Sequence, residues 1–286
     1  MKSPQIIVGV DGSPAAAAAV TWAAEEAVRH NRELVVVHAY DWRVVGSRAA
    51  IGGSYAEDAK ERAEAIVAEA VEQARAVAAD VAVRGEVVLG SVVPALLGAP
   101  SADSLIVLGS RGRGGFANLL LGSVTQQIAT HASNSVAVVR SRPVGADGPV
   151  IVGVDGSESA RHAIGVAFEA AHARGARLVA VRTFLVARSA WSMDGTQYLE
   201  PRDEREAYER RSLDDDLAAW IEKYPDVQVE RQVVEGRAAD VLISFARKAQ
   251  LVVVGTRGHG GFAGLLLGSV AQQLMHHSDS PVLIAR

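Results

Sequence analysis

Short aliphatic runs and longer helical stretches take turns along this chain. QIIVGV, LVVVHAY, VRGEVVL and LIVLG are strand-length runs rich in valine, isoleucine and leucine, and the stretches between them are alanine-rich and long enough for helices. In the first half the pattern predicts strands near 5–10, 34–40, 83–89, 104–109 and 135–139, with helices near 14–30, 55–79, 92–98 and 122–131; the second half repeats the order. Alternation of this kind predicts a parallel α/β sheet, and runs as apolar as QIIVGV and LIVLG fit strands covered by helices on both faces. Ser13-Pro14 predicts a helix start, a capping hydroxyl followed by proline where a missing N–H does no harm, and Ser157 is the matching cap. Gly98 and Pro100 predict a third helix that is short or broken, where the second half has the uninterrupted RAADVLISFARKAQ.

The halves are copies. IIVGVDGSPAAAAAV from Ile6 matches VIVGVDGSESARHAI from Val150 at an offset of 144, and GSRGRGGFANLLLGS, Gly109 to Ser123, matches GTRGHGGFAGLLLGS, Gly255 to Ser269, at an offset of 146. SVAVVR and SPVLIAR close the two copies alike. The proline- and glycine-rich SRPVGADGP reads as the connection, giving domains 1–141 and 149–286 and a linker 142–148.

Composition narrows the chemistry. The chain has 286 residues, 49% hydrophobic and 22% charged, and its 29 basic and 33 acidic side chains leave a net charge of −4, so nothing draws it as a whole to nucleic acid or to an anionic membrane. It has no cysteine, hence no disulfide, thiol nucleophile or cysteine-held zinc. No apolar run is long enough to span a membrane or resembles a signal peptide, and the expected compartment is the cytoplasm.

The glycine loops follow the fourth strand of each copy, at the rim where parallel sheets collect ligands. Glycines at loop positions one and four are expected to take positive φ and to bring bare N–H groups near an anion. Gly122-Ser123 then opens the last helix, whose first-turn N–H groups and dipole favour phosphate. A simple strand-to-helix turn is the competing reading for a lone glycine pair. Gly112, Gly114 and Ala117 also fit the dinucleotide pattern G-x-G-x-x-A, but after the wrong strand and without the downstream acid, and no Gly-Lys-Ser/Thr is present for a Walker loop. Asp11 and Asp155 each follow VGV; they would accept hydrogen bonds from a sugar or base, or cap the turn they stand in. Arg111 and Arg257 would screen phosphate charge or be ordinary surface arginines. His276-His277 reads as a polar helix end, and Asp214-Asp215-Asp216 as a solvated helix face.

The pattern G-x2-G-x9-G-[ST], with an aspartate after the first strand, resembles the universal stress protein family, and the tandem arrangement is similar to its two-domain mycobacterial and actinobacterial members. The resemblance implies two Rossmann-like, adenine nucleotide alpha hydrolase-like domains, each a five-stranded parallel sheet of order 3-2-1-4-5. It implies one ATP per domain, with Mg2+ as companion of the phosphates, in a non-catalytic stress-response regulator read by a protein partner. By position, Asp11 would hold the ribose, Gly9 and Ala39 would approach the nucleotide, and Gly109, Ser110, Gly112, Gly122, Ser123 and Val124 would hold phosphates. The second set is Gly153, Asp155, Thr183, Gly255, Thr256, Gly258, Gly268, Ser269 and Val270. A slow ATPase or nucleotidyl transferase, or an interaction module independent of nucleotide, are the alternatives. The last strand of each copy is a sheet edge expected to pair, within the chain or between two chains.

Overall fold

The computed structural model describes residues 3–41, 54–98, 101, 103–113, 120–140, 148–186, 190–191, 197–198, 201–259 and 266–286. The linker positions 142–147, Pro100, Gly114 and Ala117 lie outside them. The chain divides into two units, Met1–Pro143 and Val144–Arg286.

In the first unit, β1 (Ile6–Gly9), β2 (Leu34–Tyr40), β3 (Val83–Leu89), β4 (Leu105–Gly109) and β5 (Val136–Val139) pair in parallel in the order β3-β2-β1-β4-β5. In the second, β6 (Val150–Gly153), β7 (Leu178–Phe184), β10 (Val229–Glu235), β11 (Leu251–Gly255) and β12 (Val282–Ala285) repeat it as β10-β7-β6-β11-β12. Two short strands, β8 (Ala190–Trp191) and β9 (Gln197–Tyr198), form a separate antiparallel pair that the sequence pattern did not announce. Ile6, Ile7 and Val8 are each at most 1% exposed; successive side chains point to opposite faces, so both faces of β1 are covered.

The helices of the first unit are Pro14–Arg29, Ser54–Val77, Val92–Gly98 and Ser123–His131. The first two pack on each other, and so do the last two. Ser13 caps the first helix by accepting from the N–H of Ala16 at 3.2 Å, and Ser157 does the same for Ala160 in the helix Glu158–Arg174. Val92–Gly98 has 7 residues against 9 in its counterpart Ala238–Ala246, the shortening expected from Gly98.

The two cores are filled differently. In the second unit Trp220, on the helix Arg202–Lys223, covers Gly165 so closely that a Cβ there would lie 2.4 Å from the indole. The same places in the first unit hold Ala74 and Thr21, and Gln73 reaches over to donate to Thr21 Oγ1 at 2.9 Å and to the Ala17 carbonyl at 2.8 Å. Asp216 corrects the solvated-face reading of Asp214-Asp215-Asp216. Its carboxylate accepts from Arg182 Nη1 at 3.1 Å, and Arg182 Nε also donates to Glu209 at 2.5 Å, with all three side chains at most 12% exposed. Asp214, half exposed, pairs with Arg231 at 2.6 Å.

Candidate functional site

The site grows from two chain reversals at the carboxyl ends of β1 and β4. After β1 the chain passes Asp11 and turns at Gly12, whose φ of +74° suits glycine. Asp11 Oδ1 accepts from the N–H of Ser13 at 3.0 Å, an Asx turn that leads into the Ser13 cap. Its other oxygen, Oδ2, accepts from the N–H of Arg113 at 2.7 Å and so ties the glycine loop to the first turn. The second unit repeats this: Asp155 accepts from the N–H of Ser157 at 3.0 Å and of His259 at 2.9 Å.

The glycines are required for a different reason from the expected one. Among the described glycines, positive φ occurs at Gly12, Gly90, Gly156, Gly175 and Gly236, and at neither Gly109 nor Gly112. Gly109 is instead pressed against the first helix, where a Cβ would lie 2.6 Å from the carbonyl carbon of Ala15, and a Cβ on Gly112 would lie 2.5 Å from Asp11 Oδ2. Gly255 against Ser159 and Gly258 against Asp155 are crowded in the same way. Close approach of each unit's first helix to Gly109 and Gly255, and of the aspartate carboxylates to Gly112 and Gly258, rather than left-handed geometry, selects glycine here.

Beyond the loop, the N–H of Gly122 donates to the Ser110 carbonyl at 2.8 Å, and Gly122 becomes the N-cap of Ser123–His131 with no side-chain cap. The first-turn N–H groups at Ser123 and Val124 lack intrahelical acceptors and carry the positive end of the helix dipole. Thr125 Oγ1 braces this turn by donating to the Gly109 carbonyl at 2.8 Å. Gly268 and the helix Ser269–His277 repeat the arrangement, with Gly268 N–H donating to Thr256 at 2.7 Å, but Ala271 replaces the bracing threonine.

A cleft of about 690 Å³ opens between these elements. It is lined by Gly9, Asp11, Ala39, Gly109, Arg111, Gly112, Gly122, Ser123 and Val124, all singled out in the sequence. Ser110 does not line it; it is 3% exposed and its backbone joins Val139 and Gly122. Val10, Ser13, Val92, Leu121, Thr125 and His38 line it without having been expected. His38 had a signal, a polar residue inside the aliphatic run LVVVHAY.

In the second unit a recess of about 470 Å³ gathers Thr256, Arg257 and Gly258 with Ser157, Glu158, Ser159, His162, Ala285 and Arg286. Burial holds the Arg286 guanidinium below its usual pKa. Gly153, Asp155, Thr183, Gly255, Gly268, Ser269 and Val270 do not line this recess, although they occupy the repeat positions of the first cleft's residues. Where the first unit has His38, the second has the buried Arg182 with Glu209 and Asp216. His276 and His277 stand in the last turn of Ser269–His277 with ring centroids 6.1 Å apart, and among the described residues no group of three histidine or acidic side chains could hold a metal.

Chemically, the first cleft gathers uncapped helix N–H groups and Arg111, which suit an anion, with the carboxylate of Asp11 and the imidazole of His38, which can hydrogen-bond hydroxyl or amino groups. Its size is that of a cofactor site.

The sequence model of the Universal stress protein family matches residues 3–140 and 148–286. A universal stress protein of Mycobacterium tuberculosis is 38% identical over 302 aligned residues, covering 100% of this chain and 98% of its own. One of Mycolicibacterium smegmatis is 36% identical over 291, covering 98% and 96%. The crystal structure of a universal stress protein from Archaeoglobus fulgidus superposes with a TM-score of 0.72 at 18% identity, covering 100% of this chain and 99% of that one, and shares its fold.

Proposed function

Because this chain belongs to the universal stress protein family, we propose that it is a nucleotide-binding regulator that takes ATP in the first-unit cleft and a second ATP at the matching rim of the second unit. The observation that carries the reading is the cleft of about 690 Å³, whose lining joins Gly109, Gly112 and the uncapped helix start at Gly122 to Asp11 and Ala39. Phosphates would lie on the N–H groups of Ser123 and Val124 with Arg111 nearby; the sugar would lie toward Asp11, and the base toward Gly9 and Ala39. In the second unit the corresponding groups are Ser269, Val270, Arg257, Asp155, Gly153 and Thr183. Mg2+ would be held by the phosphates as their companion ion.

The protein acts by being read in its bound state by a partner, in the cytoplasm, and not by turning ATP over. No Walker lysine accompanies the loops, and no described helix is long and apolar enough to cross a membrane. The domains run 1–141 and 149–286, joined by 142–148. The direct test is to denature the purified protein and identify the released small molecule by mass spectrometry, then to titrate ATP into the stripped protein by calorimetry. Release of no nucleotide together with no heat of ATP binding would overturn the reading.

A further inference from the structure

We propose that His38 is a specificity-determining residue of the first cleft, its Nε2 accepting a hydrogen bond from a ribose hydroxyl of the bound nucleotide; this rests on the nucleotide reading above. His38 is one of the residues lining the cleft, and its Nδ1 lies 2.6 Å from the carbonyl oxygen of Val10. A carbonyl only accepts, so Nδ1 carries a proton, and the tautomer this selects for the uncharged ring leaves the lone pair on Nε2. Among the described residues Nε2 has no hydrogen-bond partner.

Val10 is the neighbour of Asp11, which places the imidazole at the sugar end of the cleft. There it is the less committed acceptor. Each Asp11 oxygen already accepts one backbone N–H, from Ser13 or from Arg113, whereas Nε2 has no partner among the described residues. The second unit cannot copy this contact. Arg182 stands at the same repeat position, carries donors only, and is held by Glu209 and Asp216. The two sites therefore read the sugar differently.

The test titrates ATP, 2′-deoxy-ATP and 3′-deoxy-ATP into the full-length, nucleotide-stripped protein. The parent should prefer ATP over one deoxy analogue by about fivefold to tenfold at one of its two sites, the worth of one neutral hydrogen bond. His38→Phe keeps the ring volume and should abolish that preference while binding the disfavoured analogue as the parent does. His38→Gln, with an amide acceptor in reach of the Nε2 position, should restore part of it. A uniform loss for all three nucleotides in His38→Phe would mark a purely structural histidine and overturn the proposal, as would an unchanged preference. A parent that binds ATP without regard to either hydroxyl sinks this inference alone; a parent that binds no nucleotide sinks the functional reading with it.

Discussion

The N–H of Arg113 donates to Oδ2 of Asp11 at 2.7 Å, so the carboxylate after β1 fastens the loop after β4. Asp155 fastens His259 in the second unit at 2.9 Å. An aspartate read from sequence as a sugar contact or a turn cap is thus the clasp of the glycine loop.

Removing the clasp should have two effects. Asp11→Ala deletes two charged hydrogen bonds and should lower unfolding free energy by about 1–3 kcal/mol. It should also weaken ATP at the first site about tenfold to hundredfold, the loss of a contact worth roughly 1.5–3 kcal/mol. Calorimetry should show one intact site in Asp11→Ala and almost no binding when Asp155→Ala is added. A double variant that binds like the parent would remove both aspartates from the site.

Gly109→Ala and Gly122→Ala should part company. The added methyl at Gly109 meets the Ala15 backbone at 2.6 Å and neither side has room to yield, so urea unfolding should register a loss of about 1–3 kcal/mol or more. At Gly122 the nearest atom is 3.5 Å away and φ is −74°, so stability should change by less than about 1 kcal/mol, while nucleotide affinity should fall if the helix start takes the phosphates as proposed. Gly122→Ala is the probe of binding and Gly109→Ala the probe of packing; equal melting temperatures for the two would contradict this division.

The Arg182–Glu209–Asp216 cluster should answer as a unit. Glu209→Ala leaves a guanidinium that is 10% exposed with Asp216 as its remaining partner, and the loss of one charged hydrogen bond should cost about 1.5–3 kcal/mol in chemical denaturation. Changing all three to their first-unit counterparts, Arg182→His, Glu209→Ala and Asp216→Ala, should cost less than the sum of the single changes. Simple additivity would show that the charges do not act together.

Phosphate release from ATP should stay far below the roughly 1–100 per second of kinases. Fast release from protein freed of contaminating ATPase, lost in Asp11→Ala with Asp155→Ala, would make the protein an enzyme.

What the sequence made legible is what neighbours in the chain decide. The aliphatic runs gave β1 to β5 within a residue or two, and the Ser13 and Ser157 caps lie where serine precedes a helical run. The reason for Gly109 was hidden because its constraint, Ala15, is far away in the chain and meets it only once β4 and the first helix are packed. The same holds for Arg182, whose partners lie on a later helix, and for His38, whose importance depends on which of its nitrogens Val10 occupies.

Trp220 over Gly165, where the first unit has Ala74 and Thr21 at the matching positions, carries a consequence for how such a chain can change. Each half has settled into its own large-and-small arrangement, so a single helix exchanged between the halves would drive an indole into a threonine or leave a hole above a glycine. Recombination between the repeats is tolerable only with crossover points that carry both helices together. The halves still match along their loops, yet their interiors are no longer interchangeable parts.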